Sequence, residues 1–172
     1  TCSGQISKDV QEILNDQIAN CEKQIKNIES KMEILVKTNH ADLYKQIQSI
    51  PGLGKRTAIL LIVITDGFTK FESAKELVSY IGICPRLYES GTSVRGKSRI
   101  CKMGMSRIRQ LLYMCSMSAK RANKQCKEMY ERLNQKGKNG KLIIIAIANK
   151  LIRQAFAVGT KKINYDANFL LK

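Results

Sequence analysis

Reactive side chains in this chain are concentrated between Ile83 and Arg109, where hydroxyls lie among cations. Ser90, Thr92, Ser93 and Ser98 are interleaved with Arg86, Arg95, Lys97, Arg99, Lys102, Arg107 and Arg109. A serine attacking a phosphodiester needs such neighbours. They favour the ionised hydroxyl and neutralise the charge that builds on the phosphorane-like transition state. The sole histidine, His40, is distant in sequence, so a Ser-His-Asp hydrolase triad is excluded. Composition alone reads the same stretch equally as a basic loop that only contacts phosphates.

A second stretch, I-P-G-L-G-K-R-T-A-I-L-L from Ile50 to Leu61, suits a turn that grips an anion. Pro51 resists continuing the helix that ends near Gln48, and Gly52 and Gly54 tolerate a tight backbone. Gly54 is expected to adopt dihedrals that β-branched residues avoid. From Lys55 the pattern is helical again, with Ala58, Leu61, Ile62 and Thr65 inward. The stretch resembles the hairpin of a helix-hairpin-helix motif, in which a glycine loop and free helix N–H groups hold a DNA phosphate. Gly52, Gly54, Lys55 and Arg56 are its candidate contacts. An ordinary helix–loop–helix connection is the competing reading.

Charge points to the partner. The 172 residues carry a net +16, unevenly placed: residues 1–48 hold six lysines against seven acids, which leaves +17 on the remainder. From Ser90 to Lys127 there are ten Lys or Arg and no Asp or Glu. A one-sign field of that density fits a polyanion, and nucleic acid is the expected partner. An anionic membrane surface fits less well, because no aromatic-rich amphipathic anchor is present. Apolar runs such as Ile59–Ile64 and Leu142–Ile147 fall short of the about 18 residues of a membrane span. The opening T-C-S-G-Q does not read as a signal peptide. Six cysteines without a C-x-x-C pair, beside one histidine, read as reduced and buried in a cytosolic protein rather than as disulfides or zinc ligands.

The elements that must position these residues are helical. Leu14, Cys21, Ile28 and Leu35, interleaved with Ile18, Ile25 and Met32, form a heptad seam in one long helix. That seam is expected to be buried between helices, preferably those of two protomers, through residues 10–36. A short helix leads into the glycine turn. Asp66-Gly67 ends the next helix, and Ser73 is placed to cap another whose inner face is Leu77, Tyr80 and Ile81. Gly82 and Pro85 stop it. A loop from Arg86 to Arg99 follows, then two amphipathic helices, around Ser106–Gln135 and around Gly140–Gly159. Leu142, Ile145, Ala146, Asn149, Ile152 and Phe156 are expected on or beside one stripe of the second. An irregular tail from Lys161 is expected. The expected fold is all-α: a coiled-coil helix over 1–42 and a helical bundle over 43–172 bearing the helix-hairpin-helix.

Three motifs in register carry a further resemblance. I-P-G-L-G-x-x-T-A is followed by F-x-S-A-K-x-L-x-x-Y-x-G-I-x-P and then by S-G-T-S-V-R-G-K-S-R-I-x-K-M-G, with R-x-x-L-Y-M-x-x-M-S-A from Arg109 to Ala119. Over roughly Ile47–Phe156 the chain closely resembles the C-terminal domain of the insertion-sequence "one-ten" transposases, a family that includes Piv-type DNA invertases. The resemblance implies DNA strand exchange by a serine in the S-G motif, here Ser90 before Gly91, with Ser93 the runner-up. It implies a central coiled coil, a structured guide RNA beside the DNA, and a bacterial cytoplasmic setting. It also implies an N-terminal domain with four magnesium-binding carboxylates. The seven acids of residues 1–48 do not match that domain, so no cofactor is expected in this chain, which reads as a fragment or truncated copy. The alternative is a nucleic-acid-binding and oligomerisation module whose serines are inert.

Overall fold

The computed structural model describes residues 8–86, 89–90, 94–95, 99–101 and 103–168, with the backbone alone for Asp9, Arg86, Glu89, Ser90, Val94, Arg95 and Arg99. The fold is all-α. Its helices are α1 (Lys8–Asn39), α2 (Ala41–Gln48), α3 (Lys55–Thr65), α4 (Ala74–Ile81), α5 (Ser106–Ala122), α6 (Lys124–Gln135) and α7 (Gly140–Lys161). Between α4 and α5 lie β1 (Pro85–Arg86), β2 (Glu89–Ser90), β3 (Val94–Arg95) and β4 (Arg99–Ile100).

The core forms around α7. Its Ile143, Ile144, Ile147, Ala148, Leu151, Ile152, Ala155 and Val158 are all buried, against α2, α4, α5 and α6. A helix this apolar around its circumference belongs inside a bundle. Among the described helices α7 alone is long and apolar enough to cross a bilayer, but half of that stretch is buried within this core. The inward stripe is displaced from the expected one: Leu142 is exposed, while Ile145, Ala146, Asn149 and Phe156 are half-buried. Inward residues of α3 match expectation, with Ala58, Leu61, Ile62 and Thr65 buried.

Local signals set most helix ends. Asp66 ends α3 in the left-handed region. The Ser73 hydroxyl accepts from Glu76 N–H (3.3 Å) and starts α4, and Gly82 ends it at φ 80°. On α4 the buried residues are Leu77, Val78 and Ile81. Tyr80 faces outward instead, its ring 5.2 Å from that of Phe71.

Two further expectations are corrected, and one element is seen only as a single chain presents it. The expected single helix Ser106–Gln135 is two, because Asn123 leaves helical dihedrals (φ −101°, ψ 115°) and its side chain accepts from Cys126 N–H. Asparagine offers the backbone this cap in competition with continued helix. Next, the α1 seam is open in the single chain: Ile18 is 57% exposed, Ile28 58% and Leu35 61%. The helix rests on α2 and α3 through a line that shares only Met32 with the seam, Met32 being half-buried and Val36 buried. Over its first two thirds the apolar stripe of Ile18, Cys21 and Ile25 is exposed. Lastly, Cys115 and Cys126 are buried as expected, but Cys84 and Cys101 are half-buried, and Cys21, on the open seam, is exposed.

Candidate nucleic-acid interface

The α2–α3 turn is built from its glycines outward. Ile50 and Leu53 are buried, and Leu53 N–H closes the turn on the Ile50 carbonyl at 3.1 Å. Gly52 has φ 98°, and a Cβ there would lie 2.5 Å from the Ala119 Cβ on α5. Both conditions demand glycine. Gly54 is the opposite of the sequence expectation. At φ −78° and ψ 161°, with open space around it, it adopts dihedrals any residue accepts. Its role is to precede α3 without a side chain, so it provides no capping group of its own.

That arrangement leaves the first turn of α3 available to an anion. The first helical bond is Ala58 N–H to the Gly54 carbonyl, so the N–H groups of Lys55, Arg56 and Thr57 precede the ladder. Gly54, Lys55 and Arg56 are exposed, and the first turn holds no acid. The positive end of the helix dipole thus faces outward beside Lys55. Arg56 is differently employed: its Nε donates to Glu29 Oε2 at 3.0 Å and its Nη2 contacts the same oxygen, tying α1 to α3.

The expected loop from Arg86 to Arg99 contains antiparallel ladders. Pro85 pairs with Ile100 and Arg86 with Arg99; further out, Glu89 pairs with Arg95 and Ser90 with Val94. A hairpin was legible here, since Ser-Gly-Thr-Ser before Val-Arg is a glycine-bearing reversal between strand-compatible residues. Ser90 is the last position of β2, directly before Gly91. Ser93, Lys97 and Lys102 lie outside the described residues, and Arg86, Arg95 and Arg99 are placed by backbone alone.

The hairpin's root is clamped. Cys101 N–H donates to the Cys84 carbonyl at 3.0 Å. Gly82 (φ 80°) meets the Met103 carbonyl, and Gly104 (φ 126°) meets the Tyr80 carbonyl, so closely that a Cβ at either would collide with backbone. Arg109 belongs to this clamp, its Nη1 donating to the Ile81 carbonyl at 3.0 Å, which gives it a local partner at the end of α4. Arg107 is exposed, and its Nη1 donates to Gln110 Oε1 at 3.1 Å on its own helix.

These candidates form two groups. The glycine turn packs at Ala119, near the C-terminal end of α5, while the hairpin root sits at its N-terminal end, beside Met105. At ~1.5 Å per residue the separation along the helix is about 20 Å. Beside the root lies a groove of about 560 Å³, floored by Ile83, Pro85, Ile100 and Leu142 and rimmed by Lys150 and Arg153. Among the described residues no group of three or more His, Cys, Asp or Glu could hold a metal ion. Sequence reasoning also missed Asn123, Gln154 and Tyr165, which hydrogen-bond one another behind the glycine turn. Only the asparagine carried a signal, as a helix-start residue inside a helical pattern.

Comparison with known proteins agrees with the motifs. The profile of the "Transposase IS116/IS110/IS902 family" matches residues 44–131. A pilin gene-inverting protein of Moraxella lacunata is 40% identical over 114 residues, covering 65% of this chain and 35% of that protein. A transposase for insertion sequence element IS1328 of Yersinia enterocolitica is 30% identical over 150 residues, covering 82% of this chain and 42% of that protein. The insertion element IS110 uncharacterized 43.6 kDa protein of Streptomyces coelicolor is 29% identical over 112 residues, 65% of this chain and 27% of that protein. The chain thus spans between about a quarter and two fifths of the length of these relatives. With more than half of its residues under the family profile, and with the glycine turn and basic hairpin inside that match, the chain belongs to the IS116/IS110/IS902 transposase family.

Proposed function

We propose that this chain is the DNA-gripping, serine-bearing part of a recombinase that cleaves and exchanges DNA strands. The observation that carries the reading is the basic hairpin, free of acids in sequence from Ser90 onward, with Ser90 at the end of β2 and its root clamped to α4 and α5. In the reaction the Ser90 oxygen bonds to phosphorus as the bond from phosphorus to the strand's bridging oxygen breaks; the Ser90 proton passes to water, and the departing oxygen takes up a proton from water, so that one is released and one consumed. Arg86, Arg95, Lys97, Arg99, Lys102 and Arg107, within 17 residues of Ser90 in sequence, are the candidate cations for that exchange. At the far end of α5, the first turn of α3 with Gly52, Gly54 and Lys55 holds a phosphate of the same nucleic acid. Magnesium, which the family resemblance places on a separate carboxylate domain, has no ligand cluster among the described residues of this chain.

DNA is the primary partner, with a structured guide RNA a second polyanion suited to the same surface. The relatives named as transposases and as a pilin gene-inverting protein support the DNA reading, and the bacterial cytoplasm is the matching compartment. Residues 10–36 join two copies, since the exposed seam of α1 is apolar at heptad spacing. Ile18→Lys should abolish self-association in sedimentation runs while leaving thermal stability unchanged. A wild-type chain that is monomeric at every concentration would remove the coiled coil.

Ser90→Ala and Ser93→Ala, each made in the full-length recombinase, test the nucleophile. Ser90→Ala should eliminate the covalent protein–DNA adduct and recombination while duplex affinity stays within a few fold; Ser93→Ala should retain substantial activity. Reversed phenotypes would move the nucleophile to Ser93. Two active variants would favour the second reading, a binding and oligomerisation module, which Arg109 and Arg56 already serving structural partners also supports.

A further inference from the structure

Behind the glycine turn, the segment after α7 makes several polar contacts with α2 and with the α5–α6 break. The Lys162 carbonyl accepts from Gln46 Nε2 at 2.8 Å. Tyr165 N–H donates to Ser49 Oγ at 2.8 Å, and that hydroxyl donates to the Gln46 carbonyl at 2.6 Å. These bonds fall on the last turn of α2, where the chain enters the glycine turn. The other end of Tyr165 reaches the middle of the turn indirectly. Its hydroxyl donates to Asn123 Oδ1 at 3.1 Å, and Asn123 Nδ2 lies 3.1 Å from Gln154 Oε1 and 3.4 Å from the Pro51 carbonyl. Asn123 is fully buried, at the break between α5 and α6, four residues beyond the Ala119 on which Gly52 packs.

One residue of the tail therefore holds the turn at two points, Ser49 through its backbone and Pro51 through Asn123. A tail that served only as a lid over the core would need apolar burial. Tyr165 packs half-buried against the edge of the core and is held by directional bonds as well. Directional bonds fix dihedrals, and the position of the first N–H groups of α3 depends on the dihedrals of Ser49 to Gly54. We propose that the Lys162–Tyr165 segment is a strap that sets the geometry of the α2–α3 turn, with Tyr165 and Asn123 as its positioning residues. Phosphate gripping by α3 then depends on the tail being docked. This last step rests on the reading of α3 as a phosphate site; the strap itself does not.

The test uses the full chain carrying Ser49→Ala and Tyr165→Phe together. Ser49 is exposed and phenylalanine keeps the ring, so the variant should fold. Amide exchange by NMR is followed at Leu53 and Ala58, whose N–H groups close the turn and begin α3, and at Ile147 and Leu151 in the core. Loss of four modest hydrogen bonds, two at Ser49 Oγ and two at the Tyr165 hydroxyl, should speed exchange at Leu53 and Ala58 by about tenfold or more. Ile147 and Leu151 should be unchanged, and affinity for a short DNA duplex at fixed salt should fall several-fold. Unchanged exchange at Leu53 and Ala58 would overturn the strap. So would equal acceleration at all four amides, which would make Tyr165 a general prop. Local acceleration with unchanged duplex affinity would uphold the strap and reject the phosphate site, a separation that Lys55→Gln with unaltered binding would repeat independently.

Discussion

At one end of α5 the chain holds a turn, and at the other it holds a hairpin, by different means. The turn is enclosed: Ile50 and Leu53 are buried, Gly52 is pressed on Ala119, and Asn123 and Tyr165 bond to its back. The hairpin is held by its root alone among the described residues, through two glycines against carbonyls, the Cys101 N–H donated to the Cys84 carbonyl and one guanidinium. A surface that presents backbone N–H groups must have its dihedrals fixed, because N–H direction follows the backbone. A surface that presents long cationic side chains needs only a fixed base. The two modes of holding match the two modes of presentation.

The sharpest way to break the comparison is at the turn. Gly52→Ala adds left-handed strain and a clash with Ala119 and should cost about 2–4 kcal/mol, read as a lowered urea midpoint. If stability is unchanged, the turn is not enclosed as described. Gly104→Ala should cost a similar amount but speed amide exchange at Cys101 rather than at Leu53.

Alkali should separate the two ends by chemistry. Burial pushes the Cys126 thiol from an ordinary 9.0 up to about 11, and burial also raises Tyr165. A group neutral in the fold but ionised when unfolded contributes stability below its unfolded value and loses it as pH rises through the folded one. Between pH 9 and 11 the chain should lose about 2–3 kcal/mol through Cys126. Cys126→Ala should flatten that slope. A midpoint independent of pH across this window would contradict the burial behind the turn.

At the hairpin end, Arg109 and Arg107 should part company. Arg109→Gln removes the bond to the Ile81 carbonyl and should cost about 1–2 kcal/mol. Arg107→Gln should leave stability within about 0.5 kcal/mol, yet make the log–log salt dependence of duplex binding shallower by about 0.9. Equal effects would mean that both arginines are structural, or that neither is. The smallest expected effect returns to the turn: Gly54→Ala should change stability by less than about 0.5 kcal/mol, since its dihedrals and surroundings accept a methyl group.

Periodicity and punctuation alone determined much of this protein. The 3.6-residue recurrence of apolar residues made it helical, and Ser73, Gly82 and Asp66-Gly67 marked helix ends because caps act within one turn of chain. The turn, the basic stretch and the family motifs were legible for the same reason, as local patterns of residue type. The tertiary structure decided what depends on neighbours distant in sequence. Glycine 52 rather than 54 is constrained, because Ala119 lies against it. Arg56 and Arg109 are engaged, because Glu29 and the end of α4 come within reach. Cys21 and its seam stay open, because the bundle takes a different line of α1. Tyr165, in a segment with no periodic signal, is bound to the turn because α7 brings the residues that follow it back beside α2, and no spacing along the sequence encodes that approach.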